Sequence, residues 1–444
     1  MPYKPKTLIS VVLLCVSAFS GSGVADSGGT VGTSEESADG TLDSHDSVPL
    51  LRPTFLTDEG ESNGVQQAGF IESLSNGCAP HDHWIVSKEE SAKFAGAYQI
   101  PDSEVWWKFG GYVKGDLIHD FQPAGTTDRF VPITIPTNAD DGQNTLMQAK
   151  ATRLNLDVRA PSDWGVARGF VEGDFFTADN TFRIRHAYAD VGPLIAGQTW
   201  TAFTDPDGIP ATLDFESPVA FITLRQAQFR WTTPIGENLQ WAVSIEDPST
   251  TTDDIVSATI PGNPETPLPD FITHLKYKNE TVEWFLAGML RNVSYRPDGS
   301  DSQDRFGWAT NAVGILHPTA EDKIIGQVVL GNALGRYRSG SDLRLETATT
   351  VDAVHHLGGC LALTHRWSKK LSSTLAHSVA FRQEESTDPP DTHRFASYSA
   401  VNLVWEPVDD TTIGIEYLYG THETRDGAFG DANRIQMSVQ YRFP

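Results

Sequence analysis

Arginine recurs on the polar side of several alternating segments. In 151–159, Arg153, Asn155, Asp157 and Arg159 alternate with Leu154, Leu156 and Val158. Arg183 and Arg185 share a face opposite Phe182, Ile184 and Tyr188. Gln226, Gln228 and Arg230 alternate with Ala227, Phe229 and Trp231, and Arg168 shares a side with Glu172 and Asp174. A guanidinium stays charged and grips a carboxylate through two parallel hydrogen bonds. A wall lined with such groups prefers anions. The alternative use is structural, because Asp157, Glu172 and Asp174 are near enough in sequence to pair with these arginines and brace the wall. Residues 204–219, rich in Pro, Asp and Gly, would narrow a lumen if they folded into it, with Asp205, Asp207 and Asp214 set opposite the arginines. Parity places His186 on the apolar side, and it turns Arg225 outward, which puts that residue at a strand end or a bulge.

Other chemistry finds little support. There is no GxSxG, and His365 and His377 fall by parity on apolar faces, so a nucleophile with a base in reach is not expected. There is no CxxC or HExxH, and the 13 histidines are scattered. The adjacent pair His355-His356 would point to opposite faces of a strand. The acidic run 247–254 has no EF-hand spacing and reads as solvated surface acid. No metal and no cofactor are expected.

The elements that must carry the arginines are strands. From Trp106 onward, segments of roughly nine to fourteen residues alternate apolar with polar, as a strand with two unlike faces must. In Arg434–Phe443, Ile435, Met437, Val439, Tyr441 and Phe443 oppose Arg434, Gln436, Ser438, Gln440 and Arg442. Sixteen segments are expected: 107–121, 148–160, 166–176, 182–192, 194–203, 220–233, 238–247, 270–278, 281–292, 304–316, 323–333, 352–367, 371–384, 394–405, 411–421 and 432–443. Connections after even-numbered strands are short turns, and those after odd-numbered strands are mostly long, 177–181 excepted. Loops sorted by parity, with an even strand count, are the mark of an outer-membrane barrel. The fold class is therefore all-β, a transmembrane antiparallel β-barrel of about 16 strands. A barrel that wide leaves an aqueous lumen, and closure satisfies every backbone group in the bilayer.

Residues 1–25 carry Lys4 and Lys6, an apolar core and small residues up to Ala25, the order of a secretory signal peptide. Residues 26–105 hold 15 acids against Arg52, Lys88 and Lys93. They are expected to be a low-complexity extension, disordered over 26–80 and partly helical over 84–96; the barrel then occupies 106–444. Cys78 and Cys360 specify no disulfide framework. Net charge is −25, from 33 basic and 58 acidic residues, which argues against a nucleic-acid partner.

Several blocks resemble the DcaP-like family of trimeric outer-membrane porins. They are KFGGYVKGD (108–116), WGVARGFVEGDFF (164–176), RIRHAYADVGPLIAGQTWTAFT (183–204), DPDGIPATLDF (205–215) and RQAQFRW (225–231). The likeness runs from about Ile100 to the C-terminus and is dense between Lys108 and Trp231; the run RxRHAYxxxGPxxxGQTW is its most specific part. The resemblance implies sixteen strands, a homotrimer, and uptake of small organic anions such as dicarboxylates. One departure is that Pro444 follows Phe443, where such barrels finish on the aromatic itself. The expected function is a porin for small polar solutes, with preference for small organic anions, embedded in outer-membrane lipid. The alternatives are a barrel enzyme, or a soluble exported β-protein binding glycans on Trp106, Trp107 and Trp241.

Overall fold

The computed structural model describes residues 94–139, 141–249, 262–338, 340–347 and 350–443. The signal peptide, the tail 26–80, most of the 84–96 segment, Cys78 and most of the acidic run 247–254 lie outside them.

Sixteen antiparallel strands form one closed sheet. The first eight are β1 (Trp106–Asp120), β2 (Asn144–Gln148 continued by Arg153–Ser162), β3 (Gly165–Asp174), β4 (Arg183–Val191), β5 (Leu194–Trp200), β6 (Arg225–Pro234), β7 (Leu239–Glu246) and β8 (Asp270–Lys278). The others are β9 (Val282–Pro297), β10 (Gln303–Leu316), β11 (Asp322–Asn332), β12 (His355–Ser368), β13 (Leu371–Arg382), β14 (His393–Trp405), β15 (Thr411–Thr424) and β16 (Phe429–Phe443). Each pairs with its neighbours in sequence, and β16 closes on β1 from Gly111↔Phe443 to Asp120↔Arg434. Closure leaves no sheet edge for the bilayer to strand.

Alternation decides which side meets lipid. On β16, Met437, Val439 and Tyr441 are exposed while Arg434, Gln436, Ser438 and Gln440 are buried. Aromatic residues ring the short-turn rim on the outer surface, among them Trp107, Trp231, Trp241, Trp367, Trp405 and Tyr441. Amphipathic rings at that level sit where lipid headgroups meet water.

Several boundaries differ from the alternation. Strands β9, β15 and β16 run on to Pro297, Thr424 and back to Phe429, because hairpin pairing continues above the bilayer. Conversely, β5 ends at Trp200 and β6 starts at Arg225. The apolar residues Ala202, Phe203, Ala220 and Ile222 between them are fully buried inside the barrel, so they read as strand while serving an inward loop. The stretch before His355 is a separate hairpin, Leu343–Thr347 with Thr350–Ala353, within the loop after β11.

Candidate functional site

The loop between β5 and β6 (201–224) crosses the lumen and bonds to the far wall. Leu213 and Asp214 donate their N–H groups to the Glu416 carboxylate on β15 at 2.9 and 2.8 Å. Lys114 Nζ and Gln436 Nε2 donate to the Leu213 carbonyl at 2.6 and 3.0 Å. Asn402 Nδ2 donates to the Ala211 carbonyl at 2.7 Å, and Ala220 N–H to Ser378 Oγ at 3.0 Å. Such bonds, in a site shielded from bulk water, fix backbone carbonyls and amides that a loop would otherwise present to solvent. Inner-face glycine makes the room: a Cβ on Gly414 would stand 2.8 Å from the Leu213 side chain.

The loop turns its acids in two directions. Asp205 and Asp207 do not face the arginines. Both receive Lys276 Nζ of β8, at 2.8 and 2.6 Å. Burial opposes ionisation of Asp207, yet the Lys276 ammonium prevails and holds its carboxyl well below the ordinary range. Burial pushes the Asp205 carboxyl up, with Lys276 only partly offsetting it. Asp214 does face the arginine side, and there it accepts the Phe130 N–H at 3.0 Å.

Between the loop and strands β1–β6 lies a chamber of about 270 Å³. Its lining includes Arg153, Arg183 and Arg185, as the alternation predicts, together with Lys114, Arg129 and Arg225. Asp214 and Glu216 face the same space. Arg183 grips Asp174 with two bonds of 2.9 Å, and Arg185 Nη1 reaches the same carboxylate at 2.5 Å. Arg153 contacts Glu172 at 3.4 Å, while Arg185 Nε lies 3.7 Å from it, beyond hydrogen-bond reach. Two carboxylates are thus divided among three guanidiniums. Phe215 of the loop lies 5.9 and 5.4 Å from Arg183 and Arg185 and stacks on Phe176 at 3.5 Å, which caps the cluster. Arg225 lies over the Trp200 ring at 3.8 Å. As the first residue of β6 it meets the strand-end placement, which frees it from parity.

Loop electrostatics favour a positive chamber. Burial, partly offset by Arg129, pushes the Glu216 carboxyl up. Burial pushes Asp214 well above the carboxylate range, with Glu416 and Glu216 adding to the effect and Arg434 opposing it.

The remaining predicted residues face inward but lie outside the chamber. Arg159 and Arg168 both bind Asp157, at 2.9 and 2.8 Å. Gln228 Nε2 donates to the Trp200 carbonyl at 2.8 Å, and Gln226 Nε2 to Glu246 at 2.5 Å. Arg230 is buried on the same inner face of β6. His186 is a correction. The pairing Glu172↔His186 followed by Gly173↔Ile184 leaves Arg185 as an extra residue, a β-bulge. The bulge reverses parity beyond it, so His186 and Tyr188 point inward and are buried. Arg129 carries no periodic signal because it sits in the long β1–β2 loop. Lys114 is on the polar face of β1 and was legible by the alternation applied elsewhere.

Residues 96–443 match the family described as DcaP outer membrane protein. No curated protein resembles the chain closely enough to count as a match. Among solved structures, the outer membrane channel DcaP of Acinetobacter baumannii superposes with a TM-score of 0.70 at 21% identity, covering 78% of this chain and 100% of that one. An anion-selective porin from Comamonas acidovorans superposes with a TM-score of 0.52 at 10% identity, covering 76% of this chain and 100% of that one. Outer-membrane OmpT of Vibrio cholerae gives 0.50 at 12% identity, covering 78% and 100%. At these identities the superpositions establish the shared barrel fold.

Proposed function

We propose, from the premise that the chain belongs to the DcaP family of outer-membrane proteins, that its porin barrel passes small organic anions in preference to cations. Dicarboxylates are the substrate class that fits the site best. The observation that carries this is the chamber where Arg129, Arg153, Arg183, Arg185, Arg225 and Lys114 converge under the inward loop. The ion pairs within it brace the wall without neutralising it, since Asp174 and Glu172 serve three guanidiniums. An entering carboxylate finds donors already aimed and mutually repelled, so it relieves charge on binding. Two carboxylates on a short chain would engage Arg183–Arg185 and Arg129–Arg225 in turn. The exported protein, cleaved after Ala25, would assemble as a homotrimer in outer-membrane lipid.

The chain's net charge of −25 does not decide selectivity. Only charges within about a Debye length of the ion, ~8–10 Å at physiological salt, act on it. The test is the reversal potential in a salt gradient across a planar bilayer. Wild type should be anion-selective. R183A/R185A should shift the potential toward cations and weaken block by succinate by roughly five- to thirty-fold, the equivalent of losing about 1–2 kcal/mol. A double variant with the wild-type potential would reduce these arginines to braces.

A further inference from the structure

Arg338 stands apart from the other buried arginines of the mouth. It follows a short 3-10 turn, Gly335–Tyr337, in the loop after β11, and it is 9% exposed. Its neighbours in that region are matched with acids: Arg382 with Asp388, Arg344 with Asp352, and Arg291 with Asp270 and Asp342. Arg338 forms no ion pair among the described residues, and its Nε and Nη1 atoms have no hydrogen-bond partner there. Burial alone pushes the guanidinium down to about 10, which leaves it charged at neutral pH. An uncompensated buried charge is costly, and proteins hold one where something supplies the counter-charge.

The surroundings are built to keep that guanidinium in place. It rests over Gly358 of β12, where a Cβ would stand 3.0 Å from Arg338 Cζ and 2.9 Å from the Ala220 side chain. It lines a cavity of about 30 Å³ together with Phe221, Ser217, Thr223 and Glu216. That is room for about two waters, or for the two oxygens of one carboxylate. Ser217 and Thr223 bring hydroxyl donors. Glu216 is drawn to Arg129 at 3.4 Å. Ser217, Thr223 and Glu216 also line the arginine chamber, so the two spaces share a partition.

We propose that Arg338 is a docking station for one carboxylate of the permeating anion on the long-loop side, from which the anion crosses the Glu216–Ser217–Thr223 partition to Arg129 and Arg225. The station deepens the transport reading and rests on it. A planar fork engages a carboxylate, or two oxygens of a phosphate, through two parallel hydrogen bonds that a lysine ammonium does not reproduce.

The experiment is block of single channels of the full-length protein by succinate added to one side at a time, with inorganic phosphate as the second probe. In R338A the association rate from the long-loop side should fall roughly three- to tenfold, as expected for losing one steering charge, while the rate from the short-turn side stays as in wild type. R338K, which keeps the charge and loses the fork, should recover the association rate for both probes while each stays bound more briefly than in wild type. An unchanged loop-side rate in R338A, or an equal fall from both sides, overturns the station. A wild-type channel indifferent to succinate from either side refutes the transport reading instead. Anomalous scattering from bromide-soaked crystals then decides Arg338 by itself: a peak beside its guanidinium, lost in R338A, sustains an anion site, and no peak removes it.

Discussion

At the scale of single residues, the site works by unequal sharing. Asp174 serves Arg183 and Arg185, and Glu172 serves Arg153 and Arg185, so each acid both positions its arginines and leaves them under-neutralised. Glu216 and Asp214 tune the remainder. Both have carboxyls raised by burial, so each is neutral below its raised pKa and anionic above it. Raising the pH through that window, which lies above the ordinary glutamate value of 4.5, adds negative charge beside Arg129 and Arg225. Anion preference should therefore decline as pH rises through the range, above that of ordinary carboxyls, in which these two ionise. The conservative variant D214N/E216Q should be flat over the same range; a wild type whose reversal potential ignores pH would sink this account. Inward placement of Arg153, Arg183 and Arg185 was legible because strand parity is a two-state code. His186 was not, since one extra residue at Arg185 reverses that code and no composition signal marks a bulge.

Among the elements, the inward loop 201–224 matters most, and its fastening is uneven. On the arginine side its backbone is bonded by Glu416 and Lys114; on the opposite side Glu246, Asn311 and Lys323 bond its backbone, and an ionic clasp is added, Lys276 between Asp205 and Asp207. Replacing Lys276 by methionine leaves Asp205 without its ammonium and Asp207 with Lys278 at 3.5 Å, at a cost of about 3–5 kcal/mol. The loop should loosen around Asp205 and Asp207 while the barrel, whose closure does not involve Lys276, stays folded. Expected readouts are larger conductance with frequent flicker, and an unchanged heating temperature for the gel shift that reports barrel unfolding. Steady conductance at the wild-type level would show that the backbone bonds suffice. The sorting of short turns and long loops was readable from spacing, because a strand must cross a slab of fixed thickness. The loop's path was not readable, since Ala202, Phe203, Ala220 and Ile222 are apolar for the same reason strand residues are: burial.

For the whole molecule, the outer surface is uneven around the barrel. On β3–β5 the outward residues include Gly169, Ala187, Ala189 and Ala196, where β12 and β14 show Leu361, Leu363, Val401 and Leu403. Small residues allow two barrel walls to approach closely, as they do for helices in membranes, so this sector is where protomers of the proposed trimer would meet. A189W should convert an SDS-resistant trimer into monomers that still show the heat-dependent gel shift of a closed barrel. Trimers that survive A189W would place the contact elsewhere, and crosslinking that finds only monomer in the wild type would count against the trimer itself. Deleting residues 26–80 should leave both assembly and conductance as they are, because that acidic stretch has no apolar face to dock.

By itself this sequence determined the properties that local periodicity sets: strand number, the two faces of each strand, which rim carries the long loops, and the inward arginines of β2 and β4. Those properties depend only on the two-residue repeat of a strand and on the need to cross a lipid slab with every backbone group paired. The tertiary structure decided what depends on residues far apart in the chain. It brought Arg129 from one loop and Arg225 from a strand end to the same chamber as Arg153, Arg183 and Arg185. It sent Asp205 and Asp207 to Lys276, some seventy positions away, and left Arg338 buried over Gly358 with no acid paired to it among the described residues. A loop's path through a lumen is set by which distant side chains meet it there, and no periodic pattern along the chain encodes that meeting.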